Sequence, residues 1–455
     1  MQKRLKITIA VMVIGAFMGG FSSTLMNIAL PNLMRSFHIS VSDAQWITTG
    51  YMLISALVIP ASSYLIKKYS MRTLYLTFAS IFMAGSILGF VAPNFFLVVV
   101  ARMIQAAGAG VLFPLVMVAG LRYADPHHRG MVMGLVGMVF NMAPIIGPTI
   151  SGMLLDLASW RYLFAILVPI IALTIVAAIW AVPNDEPEED AHLNVTGLSL
   201  LSFALGTLLY GLSNVGQDAF VSWQLGGSLL AGVLGTVLFI RHQRKSTIPV
   251  IDFRIFKDKQ FNLANSMNFL LTATMFANSI MLTLMIQQVL GLKAITTAWV
   301  ILPGALLTGF LSPISGRLYD HIDIKKLTAI GLTLDIIGTI LQVNVKLSDA
   351  FWVLLAAQLI RQFGLVMILI PIQTQSVRTL PAELISDAVP AYSMFRQIAA
   401  SLGTALIVGI IAAAASIFAS NPNHDLIGIK FGYGLSLCWL TITFILSRGL
   451  NNKDD

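Results

Sequence analysis

Charged side chains are scarce in this sequence of 455 residues. Asp, Glu, Lys and Arg together make up 11% of the chain, hydrophobic residues make up 57%, and the mean hydropathy is +0.84. A soluble protein of this length needs a far more charged surface. The composition therefore excludes a soluble globular protein and predicts an all-α protein that crosses a lipid bilayer many times.

Several classes of chemistry are also missing. The chain has one cysteine, Cys438, so it can form neither an internal disulfide nor a cysteine-based metal or redox cluster. No phosphate-binding Gly-Lys-Ser/Thr loop occurs, which argues against an ATP-driven pump. No metal-ligand or nucleophile constellation is visible, so we expect no enzyme activity, no metal and no cofactor. The net charge of +8 fits orientation signals in short loops better than a nucleic-acid partner.

Fourteen apolar segments have about the 20 residues that cross the hydrocarbon core. With the N-terminus placed inside, the predicted inner segments carry 20 of the 28 Lys and Arg residues and the outer segments carry five. This bias predicts fourteen spans in a bacterial cytoplasmic membrane, with both termini in the cytoplasm. The segments lie near 6–29, 45–66, 73–92, 96–120, 130–155, 160–182, 194–214, 221–241, 261–290, 294–316, 326–346, 350–374, 385–414 and 428–448.

Some features recur at a similar offset along the chain. Gly316 follows Ser63 by 253 positions, and Arg361 follows Arg102 by 259. Spans 1–6 and 9–14 therefore look like copies, with spans 7 and 8 inserted between them. Duplicated halves are common in transporters, and the substrate site then lies near the midplane where the halves meet. The predicted domains are a six-helix bundle at 1–182, a linker with two additional spans at 183–260, and a second six-helix bundle at 261–455.

Four stretches in the first half carry a family resemblance. They are FSSTLMNIALP (21–31), QWITTGYML (45–53), ARMIQAAGAG (101–110) and APIIGPTISG (143–152). In this order and spacing they resemble the major facilitator superfamily, and within it the fourteen-span drug:proton antiporters. The resemblance implies two six-helix bundles plus two inserted helices. It also implies a monomer that exports lipophilic drugs or dyes in exchange for protons, by alternating access.

Two short loops, SSYLIKKYSMRTL (62–74) and ISGRLYDHIDIKKL (314–327), resemble the family loop Gly-x-Leu-x-Asp-Arg-x-Gly-Arg. The first copy has Ser63, Lys67 and Ser70 at the positions of the two glycines and the Asp. We therefore expect the first gating latch to be weakened and the second to contribute more to closing; drift at a solvated turn is the alternative. The expected gating residues in these loops are Lys68, Arg72, Gly316 and Asp320.

The stretch in span 5 contains helix-breaking residues that membranes tolerate where neighbouring helices satisfy the freed carbonyls. The resemblance implies a kink that closes the path against leak and favours exchange over symport; ordinary packing is the alternative. The residues concerned are Pro144, Gly147, Pro148 and Gly152.

Ionisable side chains inside the bilayer cost roughly 2.5–3.5 kcal/mol each on insertion scales and are candidates for function. The family analogy places Arg102 against span 1, near Thr24 or Asn27, where it could respond to a nearby protonation. The usual span-1 acid of the family is missing, and its position is Ser22 or Ser23. The coupling candidates are therefore Arg102, Asp335 in the middle of span 11 and Asp156 near the outer end of span 5.

Each coupling candidate also has a plainer interpretation. Arg102 could be satisfied by backbone carbonyls, and Asp156 could form an outer salt bridge with Arg161. Asp335 lies on a helix that is usually peripheral in this fold. Arg361 and Arg396 could extend to an interface.

A pocket that accepts many shapes is typically lined by flexible methionines, flat aromatic rings and a few polar groups. The candidates for the substrate cavity are Met26, Asn27, Tyr51, Phe140, Asn141, Asn268, Gln373 and Arg396.

Two other functions stay open beside drug efflux. One is proton-coupled export of a lipid, a fatty acid or another anionic or zwitterionic metabolite. The missing span-1 acid favours it, because cationic drugs need a buried negative charge. The other is a membrane protein that does not transport, against which the nearly complete set of motifs argues.

Overall fold

A computed structural model shows a chain whose regular elements are all helical in the residues that it describes. This is expected where the backbone has no water to bond, because an α-helix satisfies its own N–H and C=O groups. The described residues are 3–39, 41–123, 129–185, 194–213, 223–246, 249–292, 294–345 and 350–451.

Each of the fourteen predicted segments is helical over most of its described residues, the sixth being divided between two helices. Eleven helical stretches are long and apolar enough to cross a membrane among the described residues, so the count of fourteen spans stays a prediction. The first set is α1 (Lys3–Phe37), α2 (Val41–Lys68), α3 (Met71–Val91), α4 (Phe95–Tyr123), α5 (Arg129–Leu157), α6 (Tyr162–Ala165) and α7 (Leu167–Ala181). Next come α8 (Val195–Ser213), α9 (Trp223–Lys245) and a 3₁₀ turn (Phe253–Lys257). The second set is α10 (Lys259–Leu284), which continues into a π-helical turn (Met285–Val289), α11 (Ala294–His321), α12 (Ile324–Val343), α13 (Ala350–Arg378), α14 (Ala382–Ile417) and α15 (His424–Ser447).

The two loop copies form equivalent tight turns. Ser70 caps the start of α3, and its hydroxyl oxygen accepts a hydrogen bond from the Thr73 amide at 3.2 Å. Asp323 caps the start of α12, and its carboxylate accepts one from the Lys325 amide at 2.8 Å. Such caps satisfy amide groups that the helix itself leaves free. Both loops therefore reverse the chain over two residues.

Close glycine contacts fix the register of the repeat. A Cβ atom at Gly85 would lie 2.7 Å from the Gln105 amide, and a Cβ atom at Gly338 would lie 2.8 Å from the Arg361 amide. The offset is thus 253 for α3 and α12 but 256 for α4 and α13. Arg361 is therefore equivalent to Gln105 rather than to Arg102, and the predicted pairing of the two arginines is wrong by three residues.

The two helix sets contact each other at one end, which we call the latch end and define by Lys68 of α2 and His321 of α11, and the contacts of α5 with α11 continue to Met142 and Gly309 in the middle of these helices. There α5 packs on α11 and α13, and α14 packs on α2 and α4. Gly130 and Gly134 of α5 lie directly against the backbone of α11. Toward the opposite end, Gly147 of α5 contacts α1 within its own set. The described helices of the two sets are therefore in contact from the latch end to about the middle of α5 and α11. The predicted division into three domains stays a prediction.

Substitution of Gly364 by Val tests the close approach of α12 and α13. An added Cβ atom would lie 2.7 Å from the Asp335 amide and 3.0 Å from the Leu334 Cβ. Overpacking of this kind costs about 1–3 kcal/mol. We expect Gly364→Val to lower the unfolding temperature of the protein in detergent.

Gly434→Val on α15 is the matched control, because nothing lies within 4 Å of an added Cβ atom there. Equal unfolding temperatures for the two variants would contradict the close packing of α12 and α13.

Candidate functional site

Two arginines are the largest fully buried side chains that the structure describes, and each is 1% exposed. They are Arg102 on α4 and Arg361 on α13. Intramembrane charges of this kind are expensive, and their partners identify the polar centres of a membrane protein. The surroundings of the two arginines differ.

Arg102 is bound to neutral groups. Its Nη1 donates to the Ser22 hydroxyl at 2.7 Å and to the Gln105 amide oxygen at 2.8 Å, and its guanidinium carbon lies 4.2 Å from the centre of the Tyr51 ring. Its Nε and Nη2 have no hydrogen-bond partner among the described residues. Ser22, one of the two positions expected for the missing acid, is therefore the span-1 residue that Arg102 contacts.

Arg102 was also expected to lie near Thr24 or Asn27 of span 1. Thr24 donates instead to the carbonyls of Phe21 and Ala143, at 2.9 Å and 3.1 Å. The side chain of Asn27 lies outside the described residues.

Arg361 is paired with a carboxylate. Its Nε lies 2.9 Å from Oδ1 of Asp335, which is 0% exposed, and donates to the Thr339 hydroxyl at 3.2 Å. Its Nη2 donates to the Thr274 carbonyl at 3.4 Å, which links the pair to α10. The alternative that Arg361 extends to an interface is wrong.

The first set has the same framework without the charges. Gln105 donates to the Ser86 hydroxyl at 2.8 Å, just as Arg361 donates to Thr339 at the equivalent positions. Phe82 stands where the second set has Asp335. The described ion pair is therefore an addition of the second set to a shared scaffold. The side chain of Asp156, the other predicted coupling carboxylate, lies outside the described residues.

The latch end contains a second buried carboxylate, which the sequence analysis missed. Asp387 of α14 is 1% exposed; Lys67 Nζ lies 2.5 Å from its Oδ2, and the Ser63 hydroxyl donates to its Oδ1. Ser63 and Lys67 are the residues that replace the family Gly and Asp in the first loop. The first copy, which was expected to be weak, thus holds an ion pair of reversed polarity. The signal for it was an acidic residue at the start of predicted span 13.

The remaining loop residues at the latch end also make contacts. Asp320 accepts a hydrogen bond from the Met131 amide at 3.3 Å, and a Cβ atom at Gly316 would clash with the Gly130 carbonyl. Both contacts join α11 to α5, so the second loop also connects the two helix sets. Lys68 lies 5.6 Å from the Tyr64 ring centre, and Arg72 donates to the Val182 carbonyl at 2.7 Å.

An exposed ion pair stands just before α10. The Arg254 side chain lies 2.6 Å from the Asp252 carboxylate. Burial acts to raise the pKa of Asp252, but the hydrogen bonds and charge of Arg254, with a contribution from Lys67, lower that pKa below its usual value. This carboxylate is therefore ionised near the latch.

The expected kink in span 5 is described only in part. Gly147 lies against Thr24 of α1, where an added Cβ atom would clash with the threonine side chain. The side chains of Pro144 and Pro148 and the surroundings of Gly152 lie outside what the structure describes. The role proposed for this segment stays a prediction.

A small cavity lies between the two helix sets, next to the latch end. Of the predicted cavity residues, Asn268, Gln373 and Arg396 line it. Met26 is fully buried in the core of the first set, and Tyr51 donates to the Gly19 carbonyl at 2.9 Å, so neither is part of the lining. The side chains of Phe140 and Asn141 lie outside the described residues. The complete lining is Phe113, Val136, Gly137, Asn268, Leu369, Ile370, Gln373, Tyr392 and Arg396.

Reversal of charge at Lys67 tests the latch. A cysteine at Val389, which is 1% exposed on α14, serves as reporter in a chain whose only other cysteine is removed by Cys438→Ser. We expect Lys67→Glu to raise the rate of maleimide labelling several-fold, because a loss of about 1 kcal/mol shifts a two-state ratio about fivefold. The double variant Lys67→Glu/Asp387→Lys should restore slow labelling.

Lys68→Glu is the matched control, since Lys68 contacts the Tyr64 ring instead of Asp387. Fast labelling in the double variant, or equal labelling with Lys67→Glu and Lys68→Glu, would contradict a latch held by this ion pair.

Comparison with known proteins agrees with this architecture. The profile of the Major Facilitator Superfamily matches residues 12–404. The chain is 34% identical over 445 residues to the uncharacterized MFS-type transporter YcnB of Bacillus subtilis, covering 97% of this chain and 94% of the relative. It is 32% identical over 404 residues to the lincomycin resistance protein LmrB of the same organism, covering 88% and 84%. The human organic anion transporter MFSD10 (TETRAN) shares the fold, with a TM-score of 0.71 at 12% identity over 98% of this chain and 100% of that one. The chain therefore belongs to the major facilitator superfamily.

Proposed function

We propose that this membrane transporter exports lipophilic drugs or dyes from the bacterial cell in exchange for protons, by alternating access. The observation that carries the proposal is a cavity lined by both helix sets next to the latch end, where buried polar contacts join the two sets. With both termini proposed to be cytoplasmic, the latch end is the cytoplasmic end, and its closed contacts fit an outward-facing conformation. A relative named for resistance to lincomycin supports the direction of transport.

The contacts of the latch stabilise the conformation that is closed at the cytoplasmic end relative to the conformation that is open there. The Lys67–Asp387 pair and the Asp320–Met131 hydrogen bond exist only while the cytoplasmic end is closed. A ligand shifts such an equilibrium only by its difference in affinity for the two states. Cargo that binds the cavity from the cytoplasm must therefore favour closure of the latch, and release to the outside follows.

Proton coupling requires a carboxylate that changes its charge during the cycle. Asp335 is buried in the middle of α12, and its pair with Arg361 is also linked to α10 through the Thr274 carbonyl. Protonation of Asp335 removes its attraction for Arg361. Eight residues separate Arg361 from Leu369 in the cavity wall, which is about 12 Å along α13. A shift of α13 thus couples the protonation of Asp335 to the binding of cargo in the cavity.

Proteoliposomes with an imposed pH gradient test the proposed function. A neutral, an anionic and a cationic dye are offered in parallel: Nile red, 1-pyrenesulfonate and ethidium. We expect the gradient to drive at least one dye and a proton ionophore to stop that movement. Dye movement that persists after the gradient collapses would contradict antiport, as would the absence of movement for all three dyes.

The double substitution Asp335→Asn/Arg361→Gln isolates the coupling role. A change at one partner alone would leave an uncompensated buried charge, at a cost of roughly 3–5 kcal/mol, whereas removal of both charges is often neutral. Gln already occupies the equivalent position in the first set, at Gln105. We expect the double variant to fold and to bind dye. It should lose at least about 90% of gradient-driven transport, which is a tenfold fall in the rate.

Its matched control is Asp252→Asn/Arg254→Gln, which neutralises the exposed ion pair before α10. Full gradient-driven transport by the double variant would show that the Asp335–Arg361 pair is structural, and the coupling role would then be wrong.

A further inference from the structure

Arg396 is a cation without a polar partner. It lies on α14 in the wall of the central cavity, and its guanidinium carbon is 5.9 Å from the centre of the Phe113 ring. Among the described residues no carboxylate pairs with it and no side chain or carbonyl accepts a hydrogen bond from it. None of the nine lining residues is acidic.

The two fully buried arginines and the half-buried Lys67 of the described helices have partners. Arg361 has Asp335, Lys67 has Asp387, and Arg102 has two neutral oxygens. On α14 the nearest described carboxylate toward the latch is Asp387. It lies nine residues from Arg396, which is about 13 Å along a helix, and Lys67 already holds it. The described side chains therefore supply no counter-charge for Arg396, and a molecule in the cavity could supply one.

Asn268 gives an independent indication of the same chemistry. It is 1% exposed and lines the cavity, and its amide nitrogen has no hydrogen-bond partner among the described residues. Its amide oxygen accepts from the Thr272 hydroxyl at 3.3 Å, which leaves the N–H groups as the free function. Across the cavity, the Gln373 amide nitrogen has only the weakly accepting Met117 sulfur at 3.3 Å. The cavity thus offers one cation and two amide donors.

The remaining wall is apolar. Phe113, Val136, Leu369 and Ile370 line the same cavity, which is small in this conformation. Such a surface binds a lipophilic body, while the donors fix the position of one polar group. The pattern is that of a site for an amphipathic molecule with a hydrogen-bond acceptor at one end.

We propose that the cargo is an amphipathic organic anion, whose carboxylate or sulfonate group binds Arg396 and Asn268 and whose apolar body lies against Phe113, Leu369 and Ile370. This inference rests on the proposed function for the direction of transport and narrows its substrate class. Arg396 is then the residue that determines charge specificity. It satisfies the anion, and the anion satisfies a cation that is expensive to bury alone.

Equilibrium binding to the full-length protein in lipid nanodiscs tests the charge preference without any transport step. The probes are 1-pyrenesulfonate and 1-pyrenylmethyl-trimethylammonium, which share the ring and carry opposite permanent charges. We expect the wild type to bind the sulfonate more tightly. Arg396→Gln should weaken sulfonate binding at least about tenfold, because the charged partner is removed, with little effect on the ammonium probe. Arg396→Lys should retain the preference.

Arg448→Gln is the matched control, because Arg448 lies 5.8 Å from the Phe444 ring but is exposed beyond the end of α15. It should leave both affinities unchanged. Tighter binding of the ammonium probe by the wild type, or equal loss of sulfonate affinity in Arg396→Gln and Arg448→Gln, would overturn the inference. A preserved sulfonate preference in a protein that shows no gradient-driven transport would sink the proposed antiport and leave the anion site standing.

Discussion

An unpaired charge inside the hydrocarbon core is costly, and most of the polar architecture of this transporter follows from that constraint. Arg102, Arg361 and Lys67 are each held by groups from other helices, and those contacts tie together elements that are distant in sequence. Arg361 joins α13 to α12 and α10, and Lys67 joins α2 to α14. The few charges in the chain therefore act as fixed points between helices that otherwise pack through apolar surfaces and glycines.

The two helix sets share a scaffold but differ in charge. At equivalent positions the first set has Phe82 and Gln105, and the second has Asp335 and Arg361. The same hydrogen bond to a hydroxyl on the neighbouring helix is kept in both sets, by Ser86 and by Thr339. A neutral pair suits a rigid support, whereas an ionisable pair can change its interaction energy with one proton. The asymmetry gives the two halves different tasks within one fold.

Composition and hydrophobic segmentation were sufficient to predict the helices, because the bilayer requires long apolar segments with internal backbone bonds. The register of the repeat was not predictable from residue types. Arg102 and Gln105 are three positions apart and lie on one helix face. Residue type pairs Arg361 with Arg102, whereas the glycine contacts pair Arg361 with Gln105. Asp387 was not predictable as a latch residue, because its partner Lys67 is 320 residues away and occupies a position where the family has an Asp. Asn268, Gln373 and Arg396 were found because polar residues inside spans are few.

The reversed polarity of the latch has a consequence for inheritance. In the family pattern the loop after the second span carries the acid, whereas here the loop carries Lys67 and the acid stands on α14. A recombinant that joined the first half of this chain to the second half of a relative with the usual loop would pair Lys67 with a helix not selected to receive it. The reciprocal recombinant would bring two carboxylates together. Segments 320 residues apart must therefore be inherited as a unit, and this ion pair limits which halves can be exchanged between relatives.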